Sequence, residues 1–203
     1  MLSPIALQGY VIPGSDNLVR VELVGEDGRL LSRQLFRLYT PVKWAYLSLK
    51  IPFELQAAAE LARLQISTED QYGRLSALYS VRLLLLSAGN AEINPPDKLD
   101  ERCTLDAPAS NTHISKGKLT ISGQMRPFND QPLIIELVAP SGEVFGSKMV
   151  AIQPSADDRY VSFAAEINYS VTTGTWVRLT IRQSDERIGG TMYLFSREVY
   201  LYP

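Results

Sequence analysis

The side chains in this sequence that could do oxygen chemistry sit in adjacent pairs: Glu69-Asp70, Asp185-Glu186, Asp157-Asp158 and Asn129-Asp130. Acidic loops gathered at one end of a domain can bind calcium, which wants about six to eight oxygen ligands. The spacing here matches no calcium loop, so these residues read as solvated turns. Glycoside hydrolysis needs two acids facing each other across a cleft, and turn acids on separate small modules do not supply one. Asp16 and Asp130 each follow a proline, Pro13 and Pro127, by three residues. A short acidic side chain that bonds nearby backbone N–H groups makes a turn at such a place. His113 is the single histidine. It cannot build a histidine-rich metal site, and a Ser-His-Asp arrangement would need it held rigidly. It is expected to be solvated in a linker. Cys103 is the single cysteine, which excludes an internal disulfide and a thiolate-rich zinc site. It is expected to be incidental and semi-exposed. There is no glycine-rich phosphate loop, no Gly-x-Ser-x-Gly elbow and no metalloprotease His-Glu pattern. No catalytic residue, metal or cofactor is assigned, and the chain is expected not to be an enzyme.

Aromatic side chains are the other candidates, because their faces stack on sugar rings. Trp176 abuts Val177 at the start of a strand and is expected in a core or between domains. Trp44, in a loop near Pro41 and Lys43, is expected to be more exposed. Tyr10, Tyr39 and Tyr72 join it as candidates. No linear motif groups these residues, so the ligand-binding residues stay unknown from sequence.

The elements that would carry these side chains come from a duplication. Gly9, Pro13, Asp16, Glu22, Leu23, Val24 and Gly28 recur as Gly123, Pro127, Asp130, Glu136, Leu137, Val138 and Gly142, at a constant offset of 114. Tyr46 and Ser48 return as Tyr160 and Ser162. After one inserted residue, Arg63, Leu64, Ile66 and Asp70 return as Arg178, Leu179, Ile181 and Asp185. After another, Gly73, Leu78, Ser80 and Leu85 return as Gly189, Leu194, Ser196 and Leu201. Each copy is about 85 residues, enough for a small core.

Within the copies the apolar period is two, the signature of half-buried strands. Leu47, Leu49, Ile51, Phe53 and Leu55 alternate with polar or exposed positions. So do Phe163, Ala165, Ile167 and Tyr169, and Val177, Leu179 and Ile181. Turn chemistry punctuates the runs, as in Glu26-Asp27-Gly28, Pro140-Ser141-Gly142 and Gly189-Gly190. Glu54 to Leu64 reads as helix on propensity alone. Its counterpart, Asn168 to Leu179, contains Thr172-Thr173-Gly174, so strand, loop, strand is predicted for both.

The fold class predicted is all-β, with two tandem immunoglobulin-like antiparallel β-sandwich domains. The expected boundaries are residues 1–88 for the first copy, 89–116 for a linker with a possible edge strand near Arg102 to Leu105, and 117–203 for the second copy. Asn94-Pro95-Pro96-Asp97 and Ala107-Pro108-Ala109-Ser110-Asn111 have linker composition.

The second copy resembles the immunoglobulin-like domain of bacterial spore-germination proteins and other bacterial envelope proteins. Leu119-Thr120-Ile121-Ser122-Gly123, Pro127-Phe128, the run Leu133 to Val138 into Ser141-Gly142, the Phe163 strand and the stretch Ser184 to Val199 carry the likeness. The first copy opens with Ser3-Pro4-Ile5-Ala6-Leu7-Gln8-Gly9, similar to the entry of that family, but has Gly14 where the second copy has Phe128. The resemblance implies an exported, non-catalytic module with an adhesive, structural or ligand-presenting role in the extracellular space or cell envelope. The chain enters the first repeat at once, so either the protein is cytoplasmic or, as the resemblance implies, an export signal is expected to be absent from this sequence. A net charge of −2 offers no basic footprint for nucleic acid, and no run reaches the roughly 18 apolar residues of a spanning helix. The partner expected is a protein or a cell-wall glycan. The alternatives are a carbohydrate-binding module, an accessory domain of a larger enzyme, and self-assembly through open edge strands such as Leu83 to Leu86 or Tyr200 to Tyr202.

Overall fold

The computed structural model describes residues 1–39, 43–90 and 100–203. Pro41 and the Asn94-Pro95-Pro96-Asp97 segment lie outside the described residues. Among the described residues all regular structure is β apart from one short 3-10 turn, Ser15–Asn17. Among the described residues no helix is long and apolar enough to cross a membrane.

The chain divides into two compact units. The first holds the described residues up to 90 together with Arg187–Gly189. The second holds residues 100–186 and Gly190–Pro203.

The first unit contains β1 (Ile5–Val11), β2 (Leu18–Gly25), β3 (Leu30–Arg37), β4 (Ala45–Ile51), β5 (Ala59–Glu69) and β6 (Leu75–Leu86). β1 pairs antiparallel with β4, and β3, β2, β5 and β6 form a second sheet in that order. Ile5, Val19, Val21, Leu23, Leu47, Ile51, Leu64 and Leu85 close the space between the sheets. Burying each such aliphatic side chain is worth roughly 1.5–3 kcal/mol, which is why the alternation decides the fold. The predicted helix-like stretch is strand, loop, strand: β4 ends at Ile51 and β5 starts at Ala59. β5 lies between β2 and β6, so its backbone groups are paired on both edges and Ala62 and Leu64 reach the core. Tertiary pairing overrides alanine propensity here.

The second unit contains β7 (Cys103–Ala107), β8 (Thr112–Ile114), β9 (Lys118–Met125), β10 (Leu133–Val138), β11 (Val144–Val150), β12 (Val161–Asn168), β13 (Thr175–Ser184) and β14 (Thr191–Leu201). One sheet runs β7-β9-β12. The other runs β11-β10-β13-β14, with β8 parallel against β14. Cys103, Leu105, Ile121, Met125, Ile135, Leu137, Phe163, Leu179 and Val199 fill the sandwich. This is the immunoglobulin-like arrangement, in which two antiparallel sheets share a core of alternating residues. The stretch that reads as linker therefore carries two strands of this unit.

The duplication persists in local detail. The β-bulge at Leu23/Val24 recurs at Leu137/Val138, and the one at Thr68/Glu69 recurs at Gln183/Ser184. Gly28 (φ 80°) and Gly142 (φ 87°) make the same hairpin turn, each donating its N–H to the carbonyl three residues back. A left-handed φ at that step selects glycine. The copies differ at one edge. Among the described residues, the first unit has no counterpart of β7. The Met1 carbonyl accepts from the Leu86 N–H (2.8 Å), as the Ile114 carbonyl at the end of β8 accepts from Tyr202 (2.7 Å).

Candidate binding surface

The loop acids are structural. The Asp70 carboxylate accepts from the backbone N–H groups of Tyr72 (2.9 Å) and Arg74 (3.0 Å) and from Arg74 Nε (2.7 Å). It closes the β5–β6 turn, and its equivalent Asp185 closes the β13–β14 turn through its own N–H to Gly190. Glu69 is held by Arg20 at 2.6 Å. Asp158 accepts from Arg126 (2.9 Å) and Arg102 (3.3 Å), and Asp157 pairs with Arg159. Asn129 is buried, donates to the Ser184 carbonyl and accepts from the Gln131 N–H. Asp16 and Asp130 are exposed turn residues, with Asp16 at φ 57°. Among the described residues no three His, Cys, Asp or Glu side chains gather as a metal site.

Three expectations are corrected. Cys103 is not semi-exposed. It lies on β7 with no exposed surface, because its neighbours on β9 and the facing sheet enclose it. Burial, with the nearby Glu101 charge, pushes its thiol pKa far up, so the nucleophilic thiolate is disfavoured. His113 is exposed as expected, but it is not in a free linker. It stands on β8, opposite Tyr200 of β14. Trp176 does not take the core position that was one of its two expected placements, since 39% of it is exposed.

The last two corrections define one surface. Trp176 on β13 is directly opposite Tyr200 on β14, which is opposite His113 on β8. Val177, Val199 and Leu201 point into the core, so alternation turns Trp176, Tyr200 and Tyr202 outward. Ring centroids are 5.2 Å apart for Trp176–Tyr200, 4.9 Å for Tyr200–Tyr202, 5.0 Å for His113–Tyr200 and 6.0 Å for His113–Trp176. The Tyr202 hydroxyl and His113 Nδ1 are 3.3 Å apart, within hydrogen-bond reach. The Trp176–Tyr200 and Tyr200–Tyr202 contacts are edge-on, at 75° and 67°. Such contacts add about 0.5–1.5 kcal/mol each beyond burial. The cluster is a rigid apolar knob with indole, phenol and imidazole edges, rather than one flat plate.

The first unit has a smaller patch. Tyr10 on β1 and Tyr46 on β4 are cross-strand partners with centroids 5.5 Å apart. Both are exposed, as is Trp44 (46%), two residues before Tyr46. Tyr39 is exposed, and Tyr72 is exposed beside the Arg74 guanidinium. The structure thus brings Trp176 together with His113, Tyr200 and Tyr202, and Tyr10 together with Tyr46. It does not bring Tyr39 or Tyr72 into either group.

Sequence reading missed Tyr200, Tyr202 and Tyr46 as surface residues, although period-two alternation beside buried Val199 and Leu201 was the signal. It also missed a buried polar frame. Gln183, fully buried, accepts from the Phe128 N–H (2.8 Å) and donates to the Asn129 (2.8 Å) and Gln131 (2.9 Å) carbonyls. Arg126 is 1% exposed, donates to the Asp100 carbonyl and lies near the Tyr160 ring. Arg102 lies over the Phe128 ring at 4.0 Å. The Tyr193 hydroxyl donates to Glu101, and burial first, then that carboxylate, raises its pKa. These residues hold the β9–β10 loop rigid.

No family model and no curated protein matches the chain. Among solved structures the chain is similar to a chimeric titin Z1Z2-Z1Z2 tandem functionalized with an exogenous GRGDS peptide from fibronectin. Identity is 14% and the TM-score 0.27, over 99% of this chain and 92% of that one. Strand order and register, not that likeness, define the fold.

Proposed function

We propose that the chain is a non-catalytic structural or binding module of an exported bacterial envelope protein, and that the aromatic knob of the second unit contacts its partner. The observation that carries this reading is the cluster of exposed Trp176, Tyr202 and His113 around half-buried Tyr200 on the outer face of the sheet. Aromatic groups with an apolar body and a polar tip are enriched at contact sites. The side chains that could have done chemistry support the same reading. Cys103 is enclosed, His113 is stacked among aromatic rings, and the acids Glu69, Asp70 and Asp158 are bound to arginines. Export and an envelope setting rest on the resemblance of the repeat to envelope domains.

A protein partner is favoured over a glycan because the rings of the knob are edge-on and do not offer one flat stacking plane. The carbohydrate-binding reading keeps the support of the exposed Trp176 and Trp44 faces. The test is a pull-down from cell-wall and envelope-protein fractions with a parallel glycan array, using the wild type, Trp176→Ala and Trp44→Ala. Protein capture lost only in a folded Trp176→Ala variant is the expected result. Glycan capture lost in either variant would move the assignment to a carbohydrate-binding module. Binding unchanged in both variants would sink the aromatic surface.

A further inference from the structure

We propose that the free edge of β1 accepts an extended strand from another polypeptide, antiparallel to β1, with the alternation of β7. The duplication shows what belongs there. In the second unit β7 pairs antiparallel with β9, Cys103 opposite Met125, Thr104 opposite Gln124 and Leu105 opposite Gly123. β1 is the equivalent of β9, and β4 covers one of its edges. Among the described residues no strand pairs with the other edge.

Exposure records the same gap. Ile121, Gly123 and Met125 are buried, whereas their equivalents Leu7, Gly9 and Val11 are only half-buried. The glycines make the point atom by atom. A Cβ on Gly123 would collide with the Thr104 carbonyl oxygen and come within 3.1 Å of Leu105 Cα, so this glycine is there to let β7 approach. A Cβ on Gly9 would meet nothing within 4 Å. The first unit keeps the glycine, and among the described residues no strand lies beside it.

β1 also lacks the protection usual at a sheet edge. Its seven residues, Ile5–Val11, pair with β4 without a bulge and include no charge and no proline. The other outer strands carry charges: Arg33 and Arg37 on β3, Lys50 on β4, Lys148 on β11 and Glu166 on β12. An unprotected, regular and largely apolar edge pairs with incoming strands. Main-chain hydrogen bonds then give affinity, and alternate side chains give specificity. The incoming strand must place small or aliphatic side chains at the positions of Cys103 and Leu105, opposite Val11 and Gly9, with a polar residue between. This inference stands on β1 alone, so its failure would leave the aromatic surface untouched.

The test titrates the isotope-labelled full chain with a synthetic peptide, Glu-Arg-Ala-Thr-Leu-Asp-Ala-Pro, which repeats residues 101–108 with Cys103→Ala. The expected result is amide shifts confined to β1 and its surroundings that saturate by about 1 mM peptide, with β9 unaffected. Gly9→Val should keep its melting temperature within about 2 °C, because its side chain enters open space, while peptide affinity falls at least about tenfold. A peptide that also carries Leu105→Asp should bind at least about tenfold more weakly. Absence of shifts, or shifts that persist in Gly9→Val, would overturn the proposal. So would β1 protection that depends on protein concentration and is not displaced by peptide, because a second copy would then be the occupant.

Discussion

Alanine at the two equivalent glycines should have opposite effects. At Gly123 the new methyl would stand 3.1 Å from Leu105 Cα, with the Thr104 carbonyl nearer still. Carbon atoms pack best at about 3.5–4.0 Å, so β7 would have to retreat by roughly half an ångström or more. Overpacking of this kind costs about 1–3 kcal/mol. Loosening β7 also opens Cys103 and Leu105, which are buried, so the upper part of that range, about 2–3 kcal/mol, is the expected loss. At Gly9 nothing lies within 4 Å of the new methyl. Alanine there restricts the unfolded chain and should stabilise by about 0.4–1 kcal/mol. Urea unfolding followed by tryptophan fluorescence reads both in single-tryptophan backgrounds, where Trp44 (with Trp176→Phe) reports the first unit and Trp176 (with Trp44→Phe) the second. With a denaturant slope of about 1–3 kcal/mol per molar, the Gly123→Ala midpoint should fall by about 0.7–3 M in the Trp176 signal. The Gly9→Ala midpoint should hold or rise slightly in the Trp44 signal. Equal losses at both sites, or none at Gly123, would refute the claim that close approach of β7 is what Gly123 serves.

Other outcomes follow from the buried polar frame. Gln183→Ala should destabilise the second unit by about 2–4 kcal/mol in thermal denaturation, because it strands the Phe128 N–H and two carbonyls away from water. Asp158→Ala should cost about 1–3 kcal/mol in the same assay. It removes a carboxylate shared by the nearly enclosed Arg126 and Arg102, and the 40% exposure of the Asp158 side chain keeps the cost below that of a fully buried pair. Cys103 should resist thiol reagents until the unit unfolds. Its raised folded pKa also sets an alkaline trend. The unfolded thiol loses its proton near pH 8.5 while the folded one keeps it, so stability is full below that pH and declines above it. Between pH 8.5 and 10 the wild type should lose about 1.6 kcal/mol more than Cys103→Ala, measured by urea unfolding. Equal losses would contradict the burial. Above about pH 10 Tyr193 adds a decline of the same sign.

Much of the fold was legible because alternation and duplication are properties of the chain itself. Leu133, Ile135 and Leu137 declare a strand with one buried face, and the equivalence of Glu54–Leu64 with Asn168–Leu179 outweighed the helix propensity of four alanines. The equivalence of Gly9 and Gly123 was also visible, but not its reason. Chain order cannot say that β7 lies on β9, since residues 103–107 are brought to residues 122–125 by long-range pairing. The same limit hid the candidate surface. Trp176, Tyr200 and His113 are far apart in sequence and meet only because β13, β14 and β8 are neighbours. Trp176 beside Val177 reads as core until the register shows that the valine takes the inward position. Cys103 reads as solvent-facing in a polar stretch until the sheet closes over it. Local pattern determined where strands begin, end and turn, because each residue's preference for water or core acts on its own segment. Which strand became whose neighbour, and so which glycine is crowded, which cysteine is sealed and which rings meet, was decided only by pairing across the sheets.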